Sequence, residues 1–158
     1  MIKKSNSEMF DLNNKTIVIS GGLGRIALPM TSALLEKNAR VFVLTKNPPK
    51  HQKTIKEFKN KFPKFNVIKC DVSQTKSIKS AIKKIKLTPD VFIYSSVIRP
   101  VQNNKLENLD KWKLSINYNA SSLHITSSLF SDLMKKNGGG SVIIVSSIFG
   151  IRAPDQNL

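Results

Sequence analysis

Negative charge is scarce in this chain: ten acidic residues stand against 26 lysines and arginines in 158, a formal net charge of +16. Such an excess gathers phosphates non-specifically. The bases recur at helical spacing, however (Lys53, Lys56, Lys59; then Lys76, Lys79, Lys83, Lys86), and no stacking aromatics alternate with them. That is the pattern of a solvated face, and heavy use of Lys, Asn and Ile also fits codon bias, so no specific nucleic-acid partner is expected. Cysteine is nearly absent, and Cys70 alone cannot close an internal disulfide, which suits a reducing, cytoplasmic setting. No apolar run reaches the length of a membrane span, and the lysines near Met1 have no apolar core behind them. Neither membrane attachment nor a secretory leader is expected, and no metal site. Hydrophobic residues at 40% suffice for one core. The length suits a single domain over 1–158 and is too short for a nucleotide domain plus a separate substrate domain.

The most informative segment present is Thr16 to Ala27, TIVISGGLGRIA. A β-branched run breaks into Gly21, Gly22 and Gly24 and then into a helical pattern. Glycines there let backbone approach a pyrophosphate and present N–H groups at a helix N-terminus; an ordinary glycine-rich turn is the other reading. Strands are predicted at Thr16–Ser20, Arg40–Thr45, Phe65–Lys69, Asp90–Ser95 and Ser141–Ser146. Between them, a helix over Ile26–Lys37 is expected to turn Ile26, Met30, Ala33 and Leu34 inward, with Pro29 tolerable only close to its start. Ile55, Phe58 and Phe62 mark a short basic helix, and Ile78, Ala81, Ile82 and Ile85 the inward stripe of another, for which Ser73 is a candidate N-cap. One long helix from Leu109 to Lys136, buried on more than one side, is expected from the spacing of Leu114, Tyr118, Ile125, Leu129 and Leu133, with Ile116, Ala120, Leu123, Phe130 and Met134 as a second face. The loop holding Arg99, Pro100 and Gln102 reads either as a connector or as part of a pocket. Five strands alternating with helices predict a three-layer, doubly wound parallel sheet, an α/β Rossmann fold whose ligands bind beyond the carboxyl ends of the strands.

At those strand ends, SGGLGRIA (Ser20 to Ala27), CDVS (Cys70 to Ser73), Asn117 and GSVIIVSSIFG (Gly140 to Gly150) occur in an order that resembles the short-chain dehydrogenase/reductase family. The resemblance implies a nicotinamide dinucleotide held by Ser20, Gly21, Gly22, Leu23, Gly24, Arg25 and Ile26, by Thr45 and Lys46, by Asp71 and Val72, and by Ser95 and Ser96. By the same resemblance Asp71 would accept from the adenine amino group; capping a helix is its alternative. Ser147 would hold the substrate oxygen and Asn117 would position water in a proton relay; a buried asparagine tying helix backbone together is the alternative for Asn117.

Departures from the family pattern carry information. Tyr94-Ser95-Ser96-Val97 stands where the family has Asn-Asn-Ala-Gly, which puts the nicotinamide-ribose side in doubt. Thr45 and Lys46 stand where NAD-using relatives place an acid. A hydroxyl and a cation there, with Arg25 nearby, attract a 2′-phosphate, so NADP is expected over NAD. The family's Tyr-x-x-x-Lys acid–base pair has no counterpart: Tyr94 and Tyr118 lie upstream of Ser147, and neither has lysine four residues on. The chain is therefore expected to be a catalytically incomplete fragment with an unpaired sheet edge. Ser146 to Asp155 resembles a surface-sugar and flagellin-modification branch, implying a sugar or nucleotide-sugar substrate near Arg152 or Asp155. The implied function is hydride transfer between a nicotinamide and a carbonyl or alcohol on a small molecule, in a homo-oligomer when full length. The alternative is a non-catalytic nucleotide-binding or regulatory protein.

Overall fold

A computed structural model of the chain describes residues 10–98 and 109–151. The Arg99, Pro100 and Gln102 loop, and Arg152 and Asp155, lie outside the described residues. The strands are β1 (Thr16–Ser20), β2 (Arg40–Thr45), β3 (Phe65–Lys69), β4 (Val91–Tyr94) and β5 (Ser141–Ile144). They pair in parallel in the order β3-β2-β1-β4-β5. Parallel pairing demands crossovers, and helices supply them: α1 (Ala27–Glu36), α2 (Gln52–Lys61), α3 (Thr75–Ile85), α4 (Leu109–Ile116) and α5 (Ser122–Lys135).

Alternation along each strand divides the core in two. Val18, Phe42, Leu44, Phe92 and Tyr94 face one way and pack with Ile78, Ala81 and Ile85 of α3 and Phe130 and Met134 of α5. Ile17, Ile19, Val41, Val43 and Ile93 face the other and pack with Ala27 and Leu35 of α1, with Ile55 and Phe58 of α2 beside them. The result is the three-layer, doubly wound α/β fold expected. Registers such as Ser20 opposite both Leu44 and Tyr94, and Tyr94 opposite Ile144, bring the carboxyl ends of the strands to a common edge.

Three local expectations are corrected. The inward face of α1 is Ala27, Thr31 and Leu35, displaced from the Ile26 stripe: Ile26 is 67% exposed, while the Thr31 hydroxyl donates to the Gly22 carbonyl at 2.9 Å and so can be buried without cost. Pro29 is the third residue of this helix, where its missing N–H would have had no intrahelical partner. The α3 N-cap is Gln74 and not Ser73, with no side-chain cap, because the Ser73 hydroxyl donates instead to Asp71 Oδ1 at 2.7 Å. The long helix is broken by a π-helical turn at Asn117–Ser121 between α4 and α5. Only one face of the composite is buried (Tyr118, Ser122, Thr126, Phe130, Met134), while Leu114, Ile116 and Ile125 are exposed.

Candidate functional site

The strand order reverses between β1 and β4, and that crevice is where an open parallel sheet leaves room for a ligand. Gly21 forms the turn there with φ of 69°, a left-handed conformation that favours glycine. A Cβ on Gly21 would stand 2.8 Å from the Ser95 carbonyl oxygen, so the β4 exit loop also demands glycine. Gly22 is buried, and a Cβ there would come within 2.8 Å of the Ile19 side chain. The turn closes by Gly24 N–H donating to the Gly21 carbonyl at 2.8 Å. It leads into α1, whose N-cap residue Ile26 makes no side-chain cap bond. An uncapped first turn leaves amide donors for an anion.

A cavity of about 300 Å³ opens beside this turn, lined among others by Gly21, Leu23, Gly24, Thr45, Lys46, Lys50, Ser95, Ser96 and Tyr118. Among the described residues, no acidic one lines it. A second cavity, of about 430 Å³, is lined by Ile26, Tyr94, Asn119, Ser146 and Ser147. Both share Ser95, Ser96 and Val97, so the loop after β4 forms their common wall.

At the carboxyl end of β2, Lys46 Nζ lies 2.8 Å from Asp71 Oδ2 and 5.9 Å from the Tyr118 ring centroid. The hydrogen bond and charge of Asp71 raise the Lys46 pKa against a smaller desolvation. Burial pushes the Asp71 carboxyl up, but hydrogen bonds from Lys46 and Ser73 and the Lys46 charge outweigh it and hold the pKa below the ordinary value. Asp71 Oδ1 also accepts the Ser73 N–H at 3.0 Å, an Asx turn ahead of α3 and not the helix cap offered as its alternative. Both carboxylate oxygens are thus engaged.

The structure separates the other expected site residues. Leu23, Thr45, Lys46, Ser95 and Ser96 line the glycine-turn cavity, and Ile26 and Ser147 line the second one. Ser20 is fully buried, and its hydroxyl accepts the Ser95 N–H at 3.3 Å, so it holds the loop and does not line the cavity. Val72 is in the core at 3% exposure, and Arg25 is exposed and lines neither cavity. Asn117 is exposed on the π turn, where its carbonyl accepts the Ser122 hydroxyl at 2.9 Å; its side chain lines neither cavity.

Two residues on, Asn119 ties the loop after β4 to the helix, a role the sequence analysis gave to no residue. Its side-chain oxygen accepts the Ile98 N–H at 3.0 Å, and its amide donates to the Ile98 carbonyl at 2.9 Å and to Ser115 Oγ at 3.2 Å. The amide pins the common wall of the cavities to the helix. No sequence signal marks it: the π turn buries Tyr118 and leaves Asn117 exposed and Asn119 half-buried beside the loop. Tyr94 was also missed; its buried hydroxyl donates to the Tyr118 carbonyl at 3.3 Å, within the π turn.

A family model described as short chain dehydrogenase matches residues 15–157. The chain is 22% identical to a sorbose reductase of Candida albicans over 148 residues, covering 90% of this chain and 53% of that protein. It therefore spans about half the length of the curated relatives it matches. Among solved structures, a short chain dehydrogenase of Leptospira borgpetersenii with bound NAD+ superposes with a TM-score of 0.82 at 23% identity, covering 99% of this chain and 60% of that one. A gluconate 5-dehydrogenase of Burkholderia cenocepacia in complex with NADP and tartrate gives a TM-score of 0.83 at 18% identity, covering 95% and 60%.

Proposed function

Because the chain belongs to the short-chain dehydrogenase family, we propose that it forms the dinucleotide-binding part of an NAD(P)-dependent oxidoreductase acting on a carbonyl or alcohol of a small, sugar-like molecule. The observation that carries this reading is the common wall: the cavity beside the glycine turn and the cavity holding Ser147 meet at Ser95 to Val97. A ligand extended from the glycine turn would reach the serine along that wall. The sugar-like substrate draws support from the names of the sorbose reductase and gluconate 5-dehydrogenase relatives.

The residues present fit such a cofactor. Gly21 and Gly24 would pass the pyrophosphate beside the open end of α1, and Thr45 and Lys46 would hold the ribose end. Among the described residues the lining carries Lys46 and Lys50 and no carboxylate, which favours the 2′-phosphate of NADP over NAD where Lys46 exchanges its Asp71 partner for it. When bound, the nicotinamide supplies the hydride. Ser147 would hold the substrate oxygen as charge develops on it, and Asn119 acts on the site as a positioning residue by fixing the wall through Ile98. The side chain of Val97, 64% exposed where the cavities meet, favours one second reading, nucleotide binding without hydride transfer.

Fluorescence titration with NADPH and NADH tests the leading reading. NADPH is expected to bind more tightly, and Lys46→Gln to weaken NADPH by roughly tenfold while leaving NADH within about twofold, the scale of one charge-assisted hydrogen bond. Equal affinities before and after that substitution would overturn the cofactor assignment. ADP-ribose binding as tightly as the intact dinucleotide would favour the second reading.

A further inference from the structure

The connection from α5 into β5 reads Asn137-Gly138-Gly139-Gly140, and nowhere else in the chain does glycine follow asparagine. That order matters because a backbone nitrogen can attack the side-chain carbonyl of the asparagine before it, and a β-carbon on the attacking residue stands in the way. Other asparagines are worse placed. Asn47 precedes Pro48, which has no N–H, and Asn66, Asn117 and Asn119 precede Val67, Tyr118 and Ala120 within β3 or the π turn.

The structure leaves this turn free to react. Asn137 is exposed, and among the described residues its side chain has no hydrogen-bond partner. Gly138 and Gly139 have φ of 87° and 113°, and a Cβ built on either would meet nothing within 4 Å, so the backbone there can rotate without a clash. The Gly138 N–H donates to the Lys135 carbonyl at 3.3 Å, a long bond that holds the nitrogen weakly. Gly140 is the opposite case. A Cβ on it would run into Met134 Sδ and stand 2.8 Å from the Asp90 carbonyl oxygen, which also accepts the Ser141 N–H at 2.9 Å. A loose pair of glycines is thus followed by a wedged one that anchors β5.

We propose that Asn137 and Gly138 form a site of intramolecular deamidation. The Gly138 nitrogen, once deprotonated, bonds to Asn137 Cγ and closes a succinimide ring. The Cγ–Nδ2 bond breaks, and Nδ2 leaves as ammonia with the proton that Gly138 gave up. Water then opens the ring: addition at Cγ yields aspartate, and addition at the Asn137 main-chain carbonyl yields isoaspartate, in which the chain runs through the former side chain. The added backbone link is taken up by Gly138 and Gly139, because Gly140 is wedged and Ser141 stays opposite Val91. The product presents a free carboxylate on an exposed turn, the chemical class that isoaspartyl carboxyl methyltransferases esterify.

The test is incubation of the 158-residue chain at mildly alkaline pH, read by peptide mass spectrometry and by methyl transfer from labelled S-adenosylmethionine with a purified isoaspartyl methyltransferase. The mass change of amide to acid is expected at Asn137 ahead of every other asparagine, at a rate rising about tenfold per pH unit while the Gly138 amide remains mostly protonated. Asn137→Gln is expected to abolish both signals there, because its longer side chain closes only a larger, slower ring. Urea-denatured chain is expected to react within about threefold of the folded chain, since the folded turn is already open. Acceleration by urea of about tenfold or more would show that the fold protects the turn and would overturn the proposal. So would faster reaction at Asn13 or Asn14, or a methyl label that persists in Asn137→Gln.

Discussion

Strands β1 and β5 have nearly interchangeable sequences, Thr-Ile-Val-Ile-Ser and Ser-Val-Ile-Ile, and opposite surroundings. Ile17, Val18 and Ile19 of β1 are at most 1% exposed, whereas Val142, Ile143 and Ile144 of β5 are 38%, 47% and 50% exposed. The difference is position in the sheet: β1 is central with α1 and α5 over its faces, while β5 is the last strand in the order. An apolar, β-branched strand states that it can be covered on both faces. Only the neighbours decide whether it is. The same contrast separates the two ends of the composite helix, where Phe130 and Met134 are buried and Leu109 and Trp112 are 60% and 51% exposed.

The comparison is broken most strongly by removing core volume from one side only. Phe92 is fully buried and stacks on Phe130 with ring centroids 4.4 Å apart. Phe92→Ala is expected to cost about 3–5 kcal/mol in chemical denaturation, against less than about 1 kcal/mol for Ile143→Ala on β5. Comparable losses at both positions would mean that β5 is covered in solution by something the described residues do not include. A smaller effect belongs to Thr31→Val, which keeps the volume inside α1 but removes the donor to the buried Gly22 carbonyl. A loss of about 1–3 kcal/mol is expected, the cost of an unsatisfied buried group, and a neutral result would show that the glycine turn relaxes.

The smallest effect is electrostatic and concerns the edge of the comparison, where Lys46 is 63% exposed. The folded Asp71 pKa is lowered from 3.8. Its contribution is therefore fully present above that value and is lost as pH falls through the folded pKa. Between pH 5 and 2, Asp71→Asn is expected to flatten part of the acid loss of stability, and above pH 6 to lie below the parent by a small amount that does not vary with pH. Parallel acid profiles for the two proteins would show that the pair contributes nothing.

Much of the fold was legible before the structure because β-branched runs and glycine breaks carry the parallel topology directly. β1, β2 and β3 have the predicted limits, and α3 turns Ile78, Ala81 and Ile85 inward as its spacing required. What misled was polarity inside helices. Thr31, Ser122 and Thr126 are buried, so counting apolar residues alone put the wrong faces inward on α1 and α5. At the candidate site, residues whose position depends on strand ends, such as Lys46, Ser96 and Ser147, came out beside the cavities. Those whose side chains serve the scaffold did not, because a motif specifies backbone placement and says nothing of whether Ser20 is spent on Ser95 or Asn117 is turned to solvent.

The π turn at Asn117–Ser121 acts on the helix as a phase shifter. Each residue advances an α-helix by about 100°, so one residue accommodated in a wider turn puts everything downstream out of step with everything upstream. A stripe drawn from Leu114 through Tyr118 to Ile125 therefore crosses from one phase to another and lies on no single face. Deleting one residue from the turn would restore the phase, swing Phe130 and Met134 off the sheet and turn Asn119 away from Ile98, unpacking the core and unpinning the cavity wall in one step.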